Sequence, residues 1–318
     1  MATTSTSISV RIITHNIRTI PLLRFPPEKS WDIRRHHIIR QLTTHTRHHP
    51  EALICLQEVL CRQLDDILTG LNSNTKDTNL SSSTREDRND TWEHIGCGRD
   101  GNIKGEHSPI LFRSDVWDME WTETNWLCPN SNDRPSRGWD AAYRRILTAA
   151  VLRHRASNRR VLASNTHLDH RGRRSRFEGA KLVLHWMQEW LSNSGLGSGV
   201  PLEMGFIKGV FLCGDFNTDA HDERDAYGVL TGNGAIFADS RHLLIEDRGQ
   251  TTCGDGCSFT GFNDNPKDDL LLDYVLLGPK GNGPWEVQVN DILPNKADNG
   301  VYISDHRAIV VDTELKGT

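Results

Sequence analysis

Phe211-Leu212-Cys213-Gly214-Asp215-Phe216-Asn217 reads as an apolar strand that runs into glycine and then delivers a carboxylate and a carboxamide two residues apart. Side chains at i and i+2 of a strand share a face, so Asp215 and Asn217 project together into whatever cleft lies at the strand's end. An acceptor charge beside a neutral donor suits holding a water against a phosphoryl group. Gly-Asp-x-Asn also occurs in plain turns, and its weight here comes from four other polar clusters, each beside an apolar run.

Ile12-Ile13-Thr14-His15-Asn16 ends a strand with a carboxamide, and Leu53-Ile54-Cys55-Leu56-Gln57-Glu58 ends one with an amide and an acid. Ser164-Asn165-Thr166-His167-Leu168-Asp169 puts His167 and Asp169 on one strand face. Ser304-Asp305-His306 precedes the last strand, and Asp273 sits inside the apolar run LLLDYVLL, where a carboxylate needs a partner. Taken singly, Gln57-Glu58 is a helix N-terminal acid, His167-x-Asp169 a surface pair, and Ser304-Asp305-His306 a cap or turn. Five such clusters, each next to an apolar run, are hard to assign to chance. The inventory of Asn, Glu, Asp and His, with almost no thiol, favours a hard cation such as Mg²⁺ or Mn²⁺.

The chain has 318 residues, enough for a large core, with Lys+Arg 37 against Asp+Glu 42 and a formal charge of −5. That balance excludes a globally basic nucleic-acid binder. Arg171, Arg173, Arg174 and Arg176 form a local basic cluster, either part of a site or a solvated helix start. Seven cysteines show no Cys-x-x-Cys zinc spacing; Cys55 and Cys213 read as small core residues, and Cys253 with Cys257 as surface thiols, a clip or a metal pair. No signal segment or membrane-length apolar run is present, so a cytoplasmic protein in a reducing compartment is expected, with the nucleus also open.

Strands are expected at Ile8–Ile12, Ala52–Leu56, Ile110–Phe112, Trp117–Trp126, Val161–Ser164, Val210–Cys213, Leu270–Leu277 and Ala308–Val311. Helical periodicity covers 31–47, 58–71 and 175–191. The order of strand, helix, strand, helix, many strands, helix, many strands fits two mostly antiparallel sheets packed together with helices outside. Residues 72–90 read as a mobile surface loop and 192–200 as a shorter one; neither looks like a domain boundary, and one domain over 1–318 is expected.

The ordered set Asn16, Gln57-Glu58, Asn165-Thr166-His167, Gly214-Asp215-Phe216-Asn217, Asp273-Tyr274 and Ser304-Asp305-His306 resembles the endonuclease/exonuclease/phosphatase superfamily, over about residues 8–312. The resemblance implies a four-layer α/β sandwich and metal-dependent hydrolysis of a phosphoester by water, with no covalent intermediate. It assigns Glu58 as the main Mg²⁺ ligand, with Asn16 near the metal and Asp305 a second ligand. His306, oriented by Asp273, is implied as general base or electrostatic partner. Asp215 would orient or deprotonate the attacking water, Asn217 hold the phosphate, and His167 donate to a phosphate oxygen. The chain further resembles a branch of that family marked by Trp31-x-x-Arg34-Arg35, Gly96-x-Gly98-Arg99-Asp100-Gly101, Gly105-Glu106-x-x-Pro109-Ile110, Gly138-Trp139-Asp140-Ala141-Ala142 and His167-Leu168-Asp169-His170-Arg171-Gly172, which look like cleft features. Arg99, Glu106, Arg145, Asp169 and Arg171 are candidates to grip substrate; Trp139 is either a cleft or a core aromatic.

The substrate expected is a small phosphodiester or phosphomonoester, sugar- or nucleotide-linked, with no membrane contact and no obligate protein partner. A DNA or RNA endonuclease, abasic-site repair included, is the alternative within the same chemistry. A catalytically inactive phosphate-binding module is the alternative of another class.

Overall fold

The computed structural model describes residues 7–24, 26–74, 91–130, 135–192, 207–220, 222, 224–251, 256–267, 269–281 and 283–317. In chain order the first half comprises β1 (Ile8–Asn16), α1 (Trp31–Thr46), β2 (Leu53–Gln57), α2 (Cys61–Asn74), β3 (Trp92–Ile95), β4 (Ile110–Arg113) and β5 (Trp117–Trp126). There follow β6 (Ile146–His154), β7 (Arg160–His167), α3 (Arg173–Leu191), β8 (Ile207–Asp215) and α4 (Ala226–Thr231). The chain ends with β9 (Ala238–Asp239), α5 (Ser240–Arg248), β10 (Asp273–Gly278), β11 (Trp285–Ile292) and β12 (Ile309–Leu315).

Two six-stranded sheets form, ordered β11-β12-β1-β2-β4-β3 and β5-β6-β7-β8-β10-β9. Each is antiparallel except at one central pair: β1 lies parallel to β2, and β7 parallel to β8. The apolar runs are strands buried on both faces, as their composition requires. Ile12, Leu53, Cys55, Phe112, Ala163, Phe211, Cys213 and Val275 fill the space between the sheets. α1 and α2 cover the outer face of the first sheet through Trp31, Ile38, Leu42, Leu64 and Ile67. α3 covers that of the second through Ala180, Val183, Met187 and Trp190. The expected four-layer sandwich is therefore the observed one.

The parallel pairs position the chemistry. In register, Asn16 lies beside Gln57 at the end of the first pair, and His167 beside Asp215 at the end of the second. β10 runs antiparallel to β8 and sets Asp273 against Asp215. The strand ends of both sheets thus meet at one edge of the sandwich. Beneath it, the Gln57 amide donates to Asn165 Oδ1 at 2.8 Å, and Asn165 donates to the carbonyls of Leu56 and Pro109, both at 2.8 Å, tying the sheets together.

Several expectations are corrected. The Leu270–Leu277 strand starts only at Asp273, since Leu270 and its neighbours pair as an isolated bridge with Phe259. Residues 72–74 close α2, where Asn72 exchanges hydrogen bonds with the Trp92 backbone; the rest of the expected 72–90 loop lies outside the described residues. Residues 193–200 and Cys253 also lie outside them.

Trp31-x-x-Arg34-Arg35 is scaffolding rather than cleft. Trp31 Nε1 donates to Asp66 at 2.7 Å and Arg35 Nη1 pairs with the same carboxylate at 3.2 Å. Arg34 is fully buried and donates to the carbonyls of Ile17 at 2.7 Å, Arg18 and Ile303 at 3.0 Å, Lys29 at 3.2 Å and Thr19 at 3.4 Å. One guanidinium thereby satisfies the backbone leaving β1 and the backbone entering Ser304-Asp305-His306. Arg34→Met leaves these carbonyls without donors in the interior and should cost about 3 kcal/mol or more. Urea unfolding measures it, and a loss below about 1 kcal/mol would contradict this role.

Candidate active site

Asp215 reaches the cluster because the residue before it is glycine. Gly214 adopts φ +155, and a Cβ there would lie 2.1 Å from the Thr166 carbonyl. Its carboxylate is buried and receives hydrogen bonds from Asn16 Nδ2 at 2.9 Å and the Asn217 backbone at 2.9 Å. The first of these bonds crosses from one sheet to the other. Asn217 itself sits in the left-handed region, φ +50, as do Glu58 at φ +61 and Arg18 at φ +60. Such backbone is uncommon away from glycine and is held only where surrounding contacts over-determine it.

His306 Nδ1 lies 2.7 Å from Asp273 Oδ2, and its Nε2 3.6 Å from Asp215 Oδ2. Burial opposes the imidazolium, but Asp273 and Asp215 outweigh it and raise the His306 pKa to about 10. Asp215 is pushed up to about 7, first by burial and then by the charge of Asp273. One ligating atom from each of Asp215, Asp273 and His306 lies within 4.8 Å of the others, a spacing that would admit a metal ion. A protonated His306 is a poor ligand, however, and its Nδ1 is already spent on Asp273.

His167 Nε2 contacts Asn217 Nδ2 at 3.0 Å and lies 3.5 Å from Asp215. With the Asn217 amide donating, the His167 proton is on Nδ1, which is buried and has no partner. Burial first, then nearby cations, hold His167 well below its usual pKa, so the imidazole is neutral.

Glu58 accepts from Asn16 Nδ2 at 3.1 Å and from the Thr19 backbone at 2.9 Å. Arg18, absent from the expected site, joins it: its Nη1 lies 4.0 Å from Glu58 and 3.7 Å from Asp305, and its Nε 3.7 Å from buried Glu28. The only sequence signal for Arg18 was its place two residues after Asn16.

Asn16, Glu58, His167, Asp215, Asn217, Asp273, Asp305 and His306 are thus brought together from both sheets. A narrow pocket runs from Glu58 and His167 to Arg99, Glu106 and Arg145. Trp139 and Arg171 are not on its wall. Asp169 is corrected from substrate contact to positioning residue. Its Oδ1 accepts from the backbones of Arg171 and Gly172, and its Oδ2 from those of Ala142 and Tyr143 and from Arg145 Nε, so no acceptor capacity remains. Its neighbour in the motifs, Asp140, caps α3 by accepting from Ser175 N at 2.7 Å. Two of the four arginines in the basic cluster are paired with acids: Arg173 with Asp222 at 2.9 Å and Arg176 with Asp225 at 2.6 Å.

The sequence profile described as the Endonuclease/Exonuclease/phosphatase family matches residues 13–306, from the first site strand to His306. The chain belongs to the endonuclease/exonuclease/phosphatase family. Members of this family are metal-dependent phosphoesterases. A family protein from Bacteroides thetaiotaomicron is similar at 23% identity and TM-score 0.73, covering 98% of this chain and 99% of that one. A mannosyl-6-phosphatase from the same organism aligns at 23% identity and TM-score 0.69, covering 96% and 99%. D. rerio TDP2 complexed with a single-strand DNA product aligns at 17% identity and TM-score 0.59, covering 96% and 98%. These likenesses establish the shared fold. Comparison with curated protein sequences finds no match.

If Asp273 holds the His306 charge, NMR titration of metal-free protein will show the imidazole protonated throughout pH 6–8. Asp273→Asn should lower its pKa by more than one unit; an unchanged titration would remove the pairing.

Proposed function

We propose that the protein is a Mg²⁺- or Mn²⁺-dependent phosphoesterase that hydrolyses a small phosphate ester, sugar- or nucleotide-linked, by in-line attack of water. The observation that carries this reading is the convergence of four acids and two histidines from opposite sheets beside a small cavity. Both sheets supply residues, so about 8–312 is read as one catalytic unit.

The donor chemistry fits a hard dication. Glu58 and Asp305 turn oxygens toward the same cation, Arg18 Nη1. Burial raises the Asp305 pKa against the pull of His306 and Arg18, whereas Glu58, despite its burial, is held below its usual value by the Thr19 N–H, Arg18 and Asn16, as suits the main ligand. Glu58 would hold the ion with Asp305 and the Asn16 carboxamide alongside. When bound, Mg²⁺ or Mn²⁺ supplies Lewis-acid polarisation of a phosphoryl oxygen and stabilises the leaving oxyanion.

The chain's own residues supply the rest. Asp215, hydrogen-bonded by Asn16 and Asn217, takes the proton of the attacking water; its basicity near neutrality suits that role. His306, flanked by two carboxylates, stays protonated and serves as the electrostatic partner of the phosphate rather than as base. His167 would give a hydrogen bond, not its proton, to a phosphate oxygen as charge builds there, which requires the Nε2–H tautomer and release of the Asn217 contact. Asn217 fixes the His167 ring and the Asp215 carboxylate at once.

Long nucleic acid needs several unpaired cations along a track, and Arg173 and Arg176 are engaged by acids.

A panel of hexose phosphates, nucleotides and supercoiled plasmid should show Mg²⁺-dependent release of phosphate from a small ester. Glu58→Ala and His306→Ala should each lower turnover by about 10² or more. Exhaustive chelation should abolish activity and Mn²⁺ restore it. Plasmid nicking faster than hydrolysis of every small ester would move the assignment to a nuclease.

A further inference from the structure

Arg99 and Glu106 come from two motifs of one loop, and the fold holds them as a pair: Arg99 Nη1 donates to Glu106 Oε2 at 2.6 Å. The loop between them is stiff. Arg99 N donates to Glu106 O at 2.9 Å, Asp100 N to Lys104 O at 3.0 Å, and Trp126 Nε1 to Arg99 O at 2.8 Å. Arg144 Nη1 fastens Asp100 at 2.7 Å. Gly98 is obligatory, because a Cβ there would lie 2.0 Å from the Lys104 carbonyl. Arg99 also lies over the Tyr143 ring, 4.6 Å from its centroid. The pair is therefore a preorganised feature and not a chance surface contact.

Its side chains are 14% and 17% exposed, and both face the cavity that also contains Glu58 and His167. Among the described residues, the bond between them is the one side-chain hydrogen bond either makes. Arg99 thus keeps further N–H donors, and Glu106 keeps Oε1 as an acceptor. An adjacent donor and acceptor match a hydroxyl, which donates and accepts at once. Arg144 and Arg145 line the same pocket, and it is the free Glu106 Oε1 acceptor that favours a hydroxyl over a second phosphate there. Burial, with the charge of Glu58, raises the Glu106 pKa, as expected for an acid held beside another acid at the same cavity.

We infer that Arg99 and Glu106 determine specificity by hydrogen-bonding hydroxyls of the leaving group, so that the substrate is a phosphate ester of a polyhydroxylated molecule such as a sugar. This rests on the phosphoesterase reading and names its substrate class. Arg145, fixed by Asp169 at 3.3 Å, borders the same cavity and completes its donor side. A site built to hydrogen-bond a hydroxyl discriminates strongly against analogues lacking it, because its own polar groups are then left unpaired.

The test compares kcat/KM for a hexose phosphate with that for n-hexyl phosphate, an alkyl ester of comparable leaving group with no free hydroxyls, in the Mg²⁺-loaded enzyme. Wild type should prefer the hexose phosphate by about tenfold or more, corresponding to one or more hydrogen bonds with a charged group. Glu106→Gln and Arg99→Met should each reduce that ratio by about tenfold, mainly through KM. Thermal unfolding identifies any variant that has failed to fold, and Arg99→Lys then replaces Arg99→Met. A wild-type ratio near one, or an unchanged ratio in folded variants, overturns the inference while leaving phosphoester hydrolysis in place. Hydrolysis of neither ester, or hydrolysis equal in Glu58→Ala, is instead failure of the phosphoesterase reading, and the inference falls with it.

Discussion

His306 lies between Asp273 at 2.7 Å and Asp215 at 3.6 Å, and this contact joins the loop before β12 of one sheet to strands β8 and β10 of the other. Four acids, Glu58, Asp215, Asp273 and Asp305, converge around it. Buried carboxylates are costly unless paired and hydrogen-bonded. The protein offsets that cost with His306, with Arg18, and with the Asn16 amide that bridges Glu58 and Asp215. The offset is incomplete: the Asp215 pKa rises to about 7, and Asp273 keeps one buried oxygen without a hydrogen bond. A site that retains negative charge after its own cations are counted is suited to a divalent ion and to the proton of an attacking water.

The two-sheet architecture puts this charge where it is. Each sheet has one parallel pair, and each pair ends in polar residues at the same edge of the sandwich. Left-handed backbone at Arg18, Glu58 and Asn217 then turns three side chains at the edges of those strands. Arg34 holds the loops behind them through carbonyl oxygens, without any acid of its own. Site and scaffold therefore depend on one another, and a family profile spanning 13–306 runs from one side of the cluster to the other.

Much of this was legible in the chain. Asp215 with Asn217 carries a period-of-two signal at a strand end, while Asn16 and Glu58 stood out by ending apolar runs and took their roles from the family resemblance. Cys55 and Cys213 were readable as core because their runs are apolar on both faces. Other features have no local signature. β3, β6, β9 and β11 were not expected as strands, and α4 and α5, of 6 and 9 residues, are too short for helical periodicity to emerge. Asp169 looked like a ligand because its spacing from His167 puts both on one strand face. Its partners are backbone groups at 142–143 and 171–172, which no side-chain pattern reveals. Arg34 was misread for the same reason: a buried guanidinium that donates to carbonyls leaves no complementary acid in the sequence. The basic cluster could not be told from a free patch in the sequence, because the acids that pair Arg173 and Arg176, Asp222 and Asp225, lie about fifty residues away.

The central claim is that the anionic cluster around Glu58 and Asp305 is completed by a divalent cation. Calorimetric titration of Mn²⁺ into the metal-free protein tests it without reference to any substrate. The account predicts saturable binding that weakens by about a hundredfold or more in Glu58→Gln, since one carboxylate ligand is lost while the shape is kept. Equal Mn²⁺ affinity in the folded variant and the wild type would contradict it.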